Sequence, residues 1–278
     1  MDLIYIIKGI IMAIVEGITE FLPVSSSGHL IIAGDLMRFG EGNFEKMFEV
    51  VIQLGAILAI VVLYWDKLWG LVKSLFRKEA RGTKFAVALL LGILPAFVLG
   101  FTLEKYIDRY LWSTPTVIAA LIVGALLMIA FERRYRGHHT VSQVEDITPK
   151  QALRVGLFQC LALWPGMSRS ASTIMGGWNQ GLSPSLAAEF SFFLAIPIMV
   201  GASALKLIKF AVKDGFATIT TTQSVTFGLG FLVSFLVALL CVKAFMNYIK
   251  KKPMKVFAYY RFVVAGALIM LQLVRMGR

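Results

Sequence analysis

Cysteine is nearly absent from this chain: two thiols, Cys160 and Cys241, occur in 278 residues. Both lie inside apolar segments, with no CxxC pair and no histidine at ligand spacing. That excludes a thiolate metal centre or a redox motif and leaves both as small core residues. The N-terminus lacks a basic region and a small-residue cleavage site before Glu16, which argues against a cleaved signal peptide. Short alternating segments, the mark of a membrane barrel, are missing too. The net charge of +12 could suggest nucleic acid, but the basic residues are not spread over a surface. They gather in three short stretches: Lys67, Lys73, Arg77, Lys78, Arg81 and Lys84; then Arg133, Arg134, Arg136, Lys150 and Arg154; then Lys250, Lys251, Lys252 and Lys255. Short basic loops at the ends of apolar runs follow the positive-inside rule, so nucleic-acid binding is set aside.

What is abundant is apolar sequence. Hydrophobic residues make up 58% of the chain and the mean hydropathy is +0.77, values that call for a bilayer as solvent. Six runs approach the ~20 residues that cross the hydrocarbon as a helix: 48–65, 85–103, 115–131, 186–210, 225–242 and 256–274. The chain reads as an all-α polytopic membrane protein, a single integral membrane domain. With the basic loops in the cytoplasm, where they set orientation and hold anionic lipid head groups, each span of the first half has a counterpart of opposite direction in the second. The local sequence agrees. "VEGITEFLPVSSSGH" in the first half has a faint echo in "FQCLALWPGMSRSAS" in the second, each apolar up to a proline and then serine-rich. About 25 residues further on, each half starts a span with a glutamate, Glu49 and Glu189. This is the signature of an inverted-topology repeat, residues 1–140 and 150–278. The proline-centred segments must enter and leave on one side, as re-entrant helical hairpins that meet in a buried polar chamber.

The polar residues of these segments define a chemistry. Glu16 and Glu20 are one helical turn apart, so both carboxylates share a face. In a poorly hydrated site two like charges so close tend to protonate, and a divalent cation or a bound cationic group would keep them ionised; an oxygen-only donor set favours Mg²⁺ or Ca²⁺. Ser26 and His29 could form a nucleophile–base pair; alternatively His29 attacks phosphorus itself or activates a water. Of Ser25, Ser26 and Ser27, at least one is expected to cap the following helix. In "PGMSRSAST", Arg169 is a guanidinium among apolar segments with Ser168, Ser170, Ser172 and Thr173 around it. Arginine, hydroxyls and a helix N-terminus are what a phosphate group demands; the alternative is an inert buried bridge from Arg169 to Glu16 or Glu20, which is costly and no more stable than apolar packing. Together the residues point to phosphoryl chemistry on an amphiphile with a negative head and an apolar tail.

"EGITEFLPVSSSGHL" and "FQCLALWPGMSRSAST" resemble the two signature regions of the undecaprenyl-diphosphate phosphatases, the bacterial bacitracin-resistance membrane proteins. The family pattern is Glu-x-x-x-Glu followed by Pro-Val-Ser-Ser-x-Gly-His, then Pro-Gly-x-Ser-Arg-Ser-x-x-Thr. Glu16, Glu20, Ser25, Ser26, His29, Pro165, Gly166, Ser168, Arg169, Ser170 and Thr173 occupy it without departure. The resemblance implies hydrolysis of undecaprenyl diphosphate to undecaprenyl phosphate and inorganic phosphate, which recycles the lipid carrier for peptidoglycan and confers bacitracin resistance. It implies a multi-pass protein of the bacterial cytoplasmic membrane, with the site opening to the outer face. It also names Glu16, Glu20, Ser26, His29 and Arg169 as active-site residues, assisted by a divalent metal. The expected roles follow. Arg169, Ser168, Ser170 and Thr173 hold the terminal phosphate, with Ser25 and Ser27 beside them. Glu16 and Glu20 position the metal, and Ser26 attacks with help from His29. The rival class is a secondary transporter or flippase of a phosphorylated lipid, because inverted repeats are a transporter architecture. The oligomeric state stays open, a homodimer included.

Overall fold

A computed structural model describes residues 2–40, 42–111, 113–213 and 215–276. The described chain runs through α1 (Leu3–Thr19), α2 (Ser26–Met37), α3 (Asn43–Leu63), α4 (Trp65–Phe76), α5 (Ala80–Tyr110), α6 (Thr114–Tyr135), α7 (Pro149–Gln159), α8 (Arg169–Asn179), α9 (Pro184–Lys213), α10 (Thr221–Lys251) and α11 (Lys255–Met276). Among the described residues there is no β-strand, only one isolated bridge between Val141 and Leu182. The protein is all-α.

Six helices, α3, α5, α6, α9, α10 and α11, are long and apolar enough to cross a membrane, and each contains most or all of one of the six apolar runs. The helix α10 begins four residues before its apolar run, at a capping box. At α10, Gln223 N donates to Thr220 Oγ1 at 3.3 Å while Thr220 N donates back to Gln223 Oε1 at 2.9 Å. Thr148 and Gln151 repeat this box at α7, with Pro149 in the first turn. Each box satisfies orphan donors at a helix start.

The basic stretch 67–84, read from sequence as an interhelical loop, is largely helical, taking in the start of α5 and most of α4. Its apolar residues Trp65, Leu68, Trp69, Val72 and Leu75 recur with helical period. Leu71 is buried, whereas Trp65 and Trp69 stack in the open with ring centroids 5.9 Å apart. A short helix with exposed tryptophans and lysines suits a membrane–water interface.

The remaining helices are short. The twelve residues of α2 reach about 18 Å, against ~30 Å of hydrocarbon. α1 runs along α10 and contacts α2, whereas α7 runs along α5 and contacts α8. These contacts depend on glycine. A Cβ at Gly17 would fall 2.8 Å from the Ser234 carbonyl oxygen, and one at Gly156 would fall 2.6 Å from that of Gly92. Small residues let helix backbones touch where lipid gives no hydrophobic incentive to pack. At the centre lies α8, buried at every residue from Ser170 to Trp178. Phe190, Phe192 and Phe193 of α9 are buried in the same cluster. On the outside, α5 exposes Leu90, Phe97 and Phe101, the apolar face that lipid covers.

Candidate active site

Two turns build the site, and both end on an unusual serine. After α1 the chain turns through Glu20–Val24, and Ser25 caps α2 with φ 74° and ψ 95°. After α7 a 3₁₀ turn, Cys160–Leu163, leads to Gly166 at φ 98°, and Ser168 caps α8 with φ 73° and ψ 118°. Left-handed φ in a residue with a Cβ is sparsely populated and costs on the order of 1–3 kcal/mol. Side-chain caps offset part of it. Ser25 Oγ accepts from Gly28 N at 3.4 Å, and Ser168 Oγ accepts from Ala171 N at 3.3 Å. Gly166 has no substitute, since a Cβ there would stand 2.7 Å from the Val117 carbonyl oxygen.

These turns bring Glu20, Ser26 and Arg169 together. Ser26 Oγ donates to Glu20 Oε2 at 2.6 Å, and Arg169 Nη2 donates to Glu20 Oε1 at 3.2 Å. Arg169 also reaches α9 through Nη1, which donates to the Ser191 carbonyl at 2.9 Å, and its Cζ lies 5.9 Å from the centroid of the Phe21 ring. A cavity of about 200 Å³ opens on this group, lined by Glu20, Ser25, Ser26, Ser27, Ser168 and Arg169, with Gln53 and Met199 on the α3 and α9 sides. Six of the residues expected from the sequence therefore share one chamber.

The other four are not on its lining. Ser170 Oγ donates to the Leu22 carbonyl at 2.9 Å and ties the second turn to the first. Thr173 Oγ1 bonds Ser191 Oγ at 2.6 Å and packs α8 onto α9. Glu16 is wholly buried, and neither of its carboxylate oxygens has a hydrogen-bond partner. A buried carboxylate without donors is costly, so this group either carries a proton or meets a cation. No third His, Cys, Asp or Glu joins Glu16 and Glu20 in a metal-binding group among the described residues.

His29 departs most from expectation. It does not bond Ser26. Its Nδ1 lies 2.8 Å from the Ser25 carbonyl, which can only accept, so Nδ1 carries the proton. Nε2 lies 2.8 Å from Tyr260 Oη, and the two rings stack with centroids 5.5 Å apart. The cause is local: at the first turn of α2 the imidazole folds back on the carbonyl four residues earlier, while Ser26 faces Glu20 across the turn. The group that Ser26 meets is the Glu20 carboxylate.

Sequence reading also missed two neighbours on α11. Tyr260 holds His29. Arg261, fully buried, donates to the carbonyls of Gly166 (2.9 Å) and Met167 (3.0 Å) in the second turn and to those of Ala120 (3.0 Å) and Leu121 (3.2 Å) on α6. One helix thus steadies both turns. The signal was available, because an arginine inside an apolar span is a functional flag by its cost alone.

Comparison with known proteins adds an independent line. Residues 9–267 match the family described as bacitracin resistance protein BacA. The chain is 51% identical over 269 residues to an undecaprenyl-diphosphatase of Clostridium tetani strain Massachusetts / E88, covering 97% of each. It is 47% identical over 297 residues to an undecaprenyl-diphosphatase of Clostridium perfringens strain 13, covering 96% of each. It is 46% identical over 279 residues to undecaprenyl-diphosphatase 2 of Clostridioides difficile strain 630, covering 98% of this chain and 96% of that one.

Proposed function

The chain belongs to the BacA bacitracin-resistance family, and on that premise we propose how its residues do their work. The protein is an undecaprenyl-diphosphatase: it hydrolyses undecaprenyl diphosphate to undecaprenyl phosphate and inorganic phosphate. The observation that carries the mechanism is the hydroxyl of Ser26 donating to Glu20 while Arg169 holds the same carboxylate.

In this reading Ser26 Oγ attacks the terminal phosphorus as its proton passes to Glu20. The bond from that phosphorus to the bridging oxygen breaks and undecaprenyl phosphate leaves. Water then cleaves the phosphoserine, returning the serine proton and releasing phosphate. Arg169 exchanges Glu20 for the equatorial oxygens of the transferring group, where its fixed fork meets developing charge. Ser25, Ser27 and Ser168 line the same cavity and supply hydroxyl donors. Ser170 and Thr173 act one step back by holding α8, and with it Arg169, against α1 and α9. Phosphoryl transfer needs positioning and charge stabilisation more than covalent help.

Glu16 and Glu20 are the residues that would hold a divalent cation, Mg²⁺ or Ca²⁺, which supplies positive charge to the diphosphate when bound. The partnerless oxygens of Glu16 support that assignment. His29, fixed between the Ser25 carbonyl and Tyr260, orients the strained cap beside Ser26.

The same reading takes residues 1–140 and 150–278 as inverted halves, with α1–α2 and α7–α8 as re-entrant hairpins. Support comes from the matching left-handed caps at Ser25 and Ser168 and from the exchanged packing of α1 on α10 and α7 on α5. It assigns the protein to the cytoplasmic membrane, with basic loops inside and the site open to the outer face. Glu20, Ser26 and Arg169 come from one chain, so a homodimer would add nothing to the chemistry.

Phosphate release from undecaprenyl diphosphate by the purified protein in detergent, where no gradient exists, separates an enzyme from a carrier. Turnover should be present and should fall about 10²–10³-fold in Arg169→Ala, the loss typical of a removed transition-state donor. Near-wild-type turnover in that variant rejects the assignment.

A further inference from the structure

A second, larger cavity of about 950 Å³ lies away from Ser26, where the C-terminal ends of α6 and α10 meet the starts of α9 and α11. Its charge is one-sided. Arg133, Lys250, Lys251 and Lys255 line it, with His139 beside them. No hydrogen bond or ion pair engages the side chain of any of these four cations among the described residues. The acid on the lining, Glu132, is already engaged: it accepts from Met254 N at 2.5 Å and Lys255 N at 2.6 Å and pairs with Arg136. Arg136 in turn donates to the carbonyls of Ile249 and Lys252, finishing α10. Glu132 and Arg136 thus brace the rim and leave its surplus positive charge uncompensated.

Orientation by the positive-inside rule needs basic residues near span ends, not their convergence on one cavity. The other basic stretch makes the contrast. Lys73, Arg77 and Lys78 lie on α4 or just after it and line neither cavity, and Arg81 pairs with Glu145. In the larger cavity Ser183 and Ser185 add hydroxyls at the start of the thirty-residue α9, whose positive end meets the cavity. Ile129 and Tyr259 supply an apolar flank on two spanning helices. Cations, hydroxyls and an apolar wall at a span end match a phosphate head attached to acyl chains.

We propose that this cavity is a binding site for a phosphate-bearing anion, the head group of an anionic phospholipid, separate from the hydrolytic site and filled from the leaflet that the basic loops face. The ligand relieves repulsion among four unpaired cations and ties the ends of α6, α9, α10 and α11 together.

Native mass spectrometry of the purified protein in detergent, titrated with phosphatidylglycerol and separately with phosphatidylcholine, tests this. One phosphatidylglycerol should be retained in preference to phosphatidylcholine. The variant Arg133→Gln/Lys251→Gln/Lys255→Gln should bind it roughly a hundredfold more weakly, from the loss of three near-surface charges. Lys73→Gln/Arg77→Gln/Lys78→Gln should bind as wild type. Turnover in detergent, expected to be unchanged in both variants, serves as the folding control. Displacement of the lipid by millimolar inorganic phosphate would keep the phosphate site but assign it to a soluble ion, whereas failure to displace assigns it to the lipid. Equal retention of both lipids, or equal loss in both triple variants, overturns the proposal.

Discussion

Replacing Arg261 with methionine is the perturbation that best separates holding the fold from holding the site. The side chain is fully buried and spans from α6 to the Gly166–Met167 turn. Ala120 and Leu121 sit inside α6, where their carbonyls keep helical partners after the change. The turn carbonyls of Gly166 and Met167 would lose their donor, at about 1–3 kcal/mol each. Against that, the variant no longer buries a cation whose partners are neutral, which returns a penalty of several kcal/mol. The two effects are of similar size, so melting temperature in detergent should shift by only a few degrees. Activity is a different matter. The freed turn carries Ser168 and Arg169, and a displacement of about 1 Å at a reacting group costs roughly a hundredfold in rate. We therefore expect kcat for undecaprenyl diphosphate to fall about a hundredfold with the fold intact. Gly124→Ala attacks the same clamp from the other side, because its Cβ would stand 2.2 Å from Arg261 Nη2. It should lower kcat in the same direction. Near-wild-type kcat in a folded Arg261→Met protein would refute the reasoning.

Two further outcomes follow from the same geometry. Glu16→Gln exchanges a buried carboxylate without donors for a neutral amide; it should raise the divalent-metal concentration needed for turnover while leaving thermal stability equal or higher, and an unchanged metal requirement would count against Glu16 as a ligand. Tyr260→Phe removes one neutral hydrogen bond to His29, worth about 0.5–1.5 kcal/mol; kcat should drop by about tenfold or less, and a larger loss would place Tyr260 closer to the chemistry.

Much of the architecture was legible because a bilayer forces long apolar runs, and six such runs became six long helices. Arg169, Glu16 and Glu20 were legible for the opposite reason, as charges in apolar surroundings. What stayed hidden depended on the turns. Spacing allowed Ser26 to meet either His29, three residues ahead, or Glu20, six behind. The choice follows from the left-handed backbone at Ser25, which no residue pattern announces. Tyr260 and Arg261 act on residues far away in sequence, and only the cost of an arginine in an apolar span hinted at them. The helix α4 was obscured by its own lysines, which drew attention to charge and away from the apolar period beneath.

The central claim is that Glu20 serves Ser26 as its base. The measurement that meets it most directly is kcat for Ser26→Ala, Glu20→Gln and the double variant in the detergent assay. Residues that act as a unit lose their effect together, so the double variant should be no slower than the slower single variant. Losses that multiply, or a Ser26→Ala protein that turns over at the wild-type rate, would contradict the account.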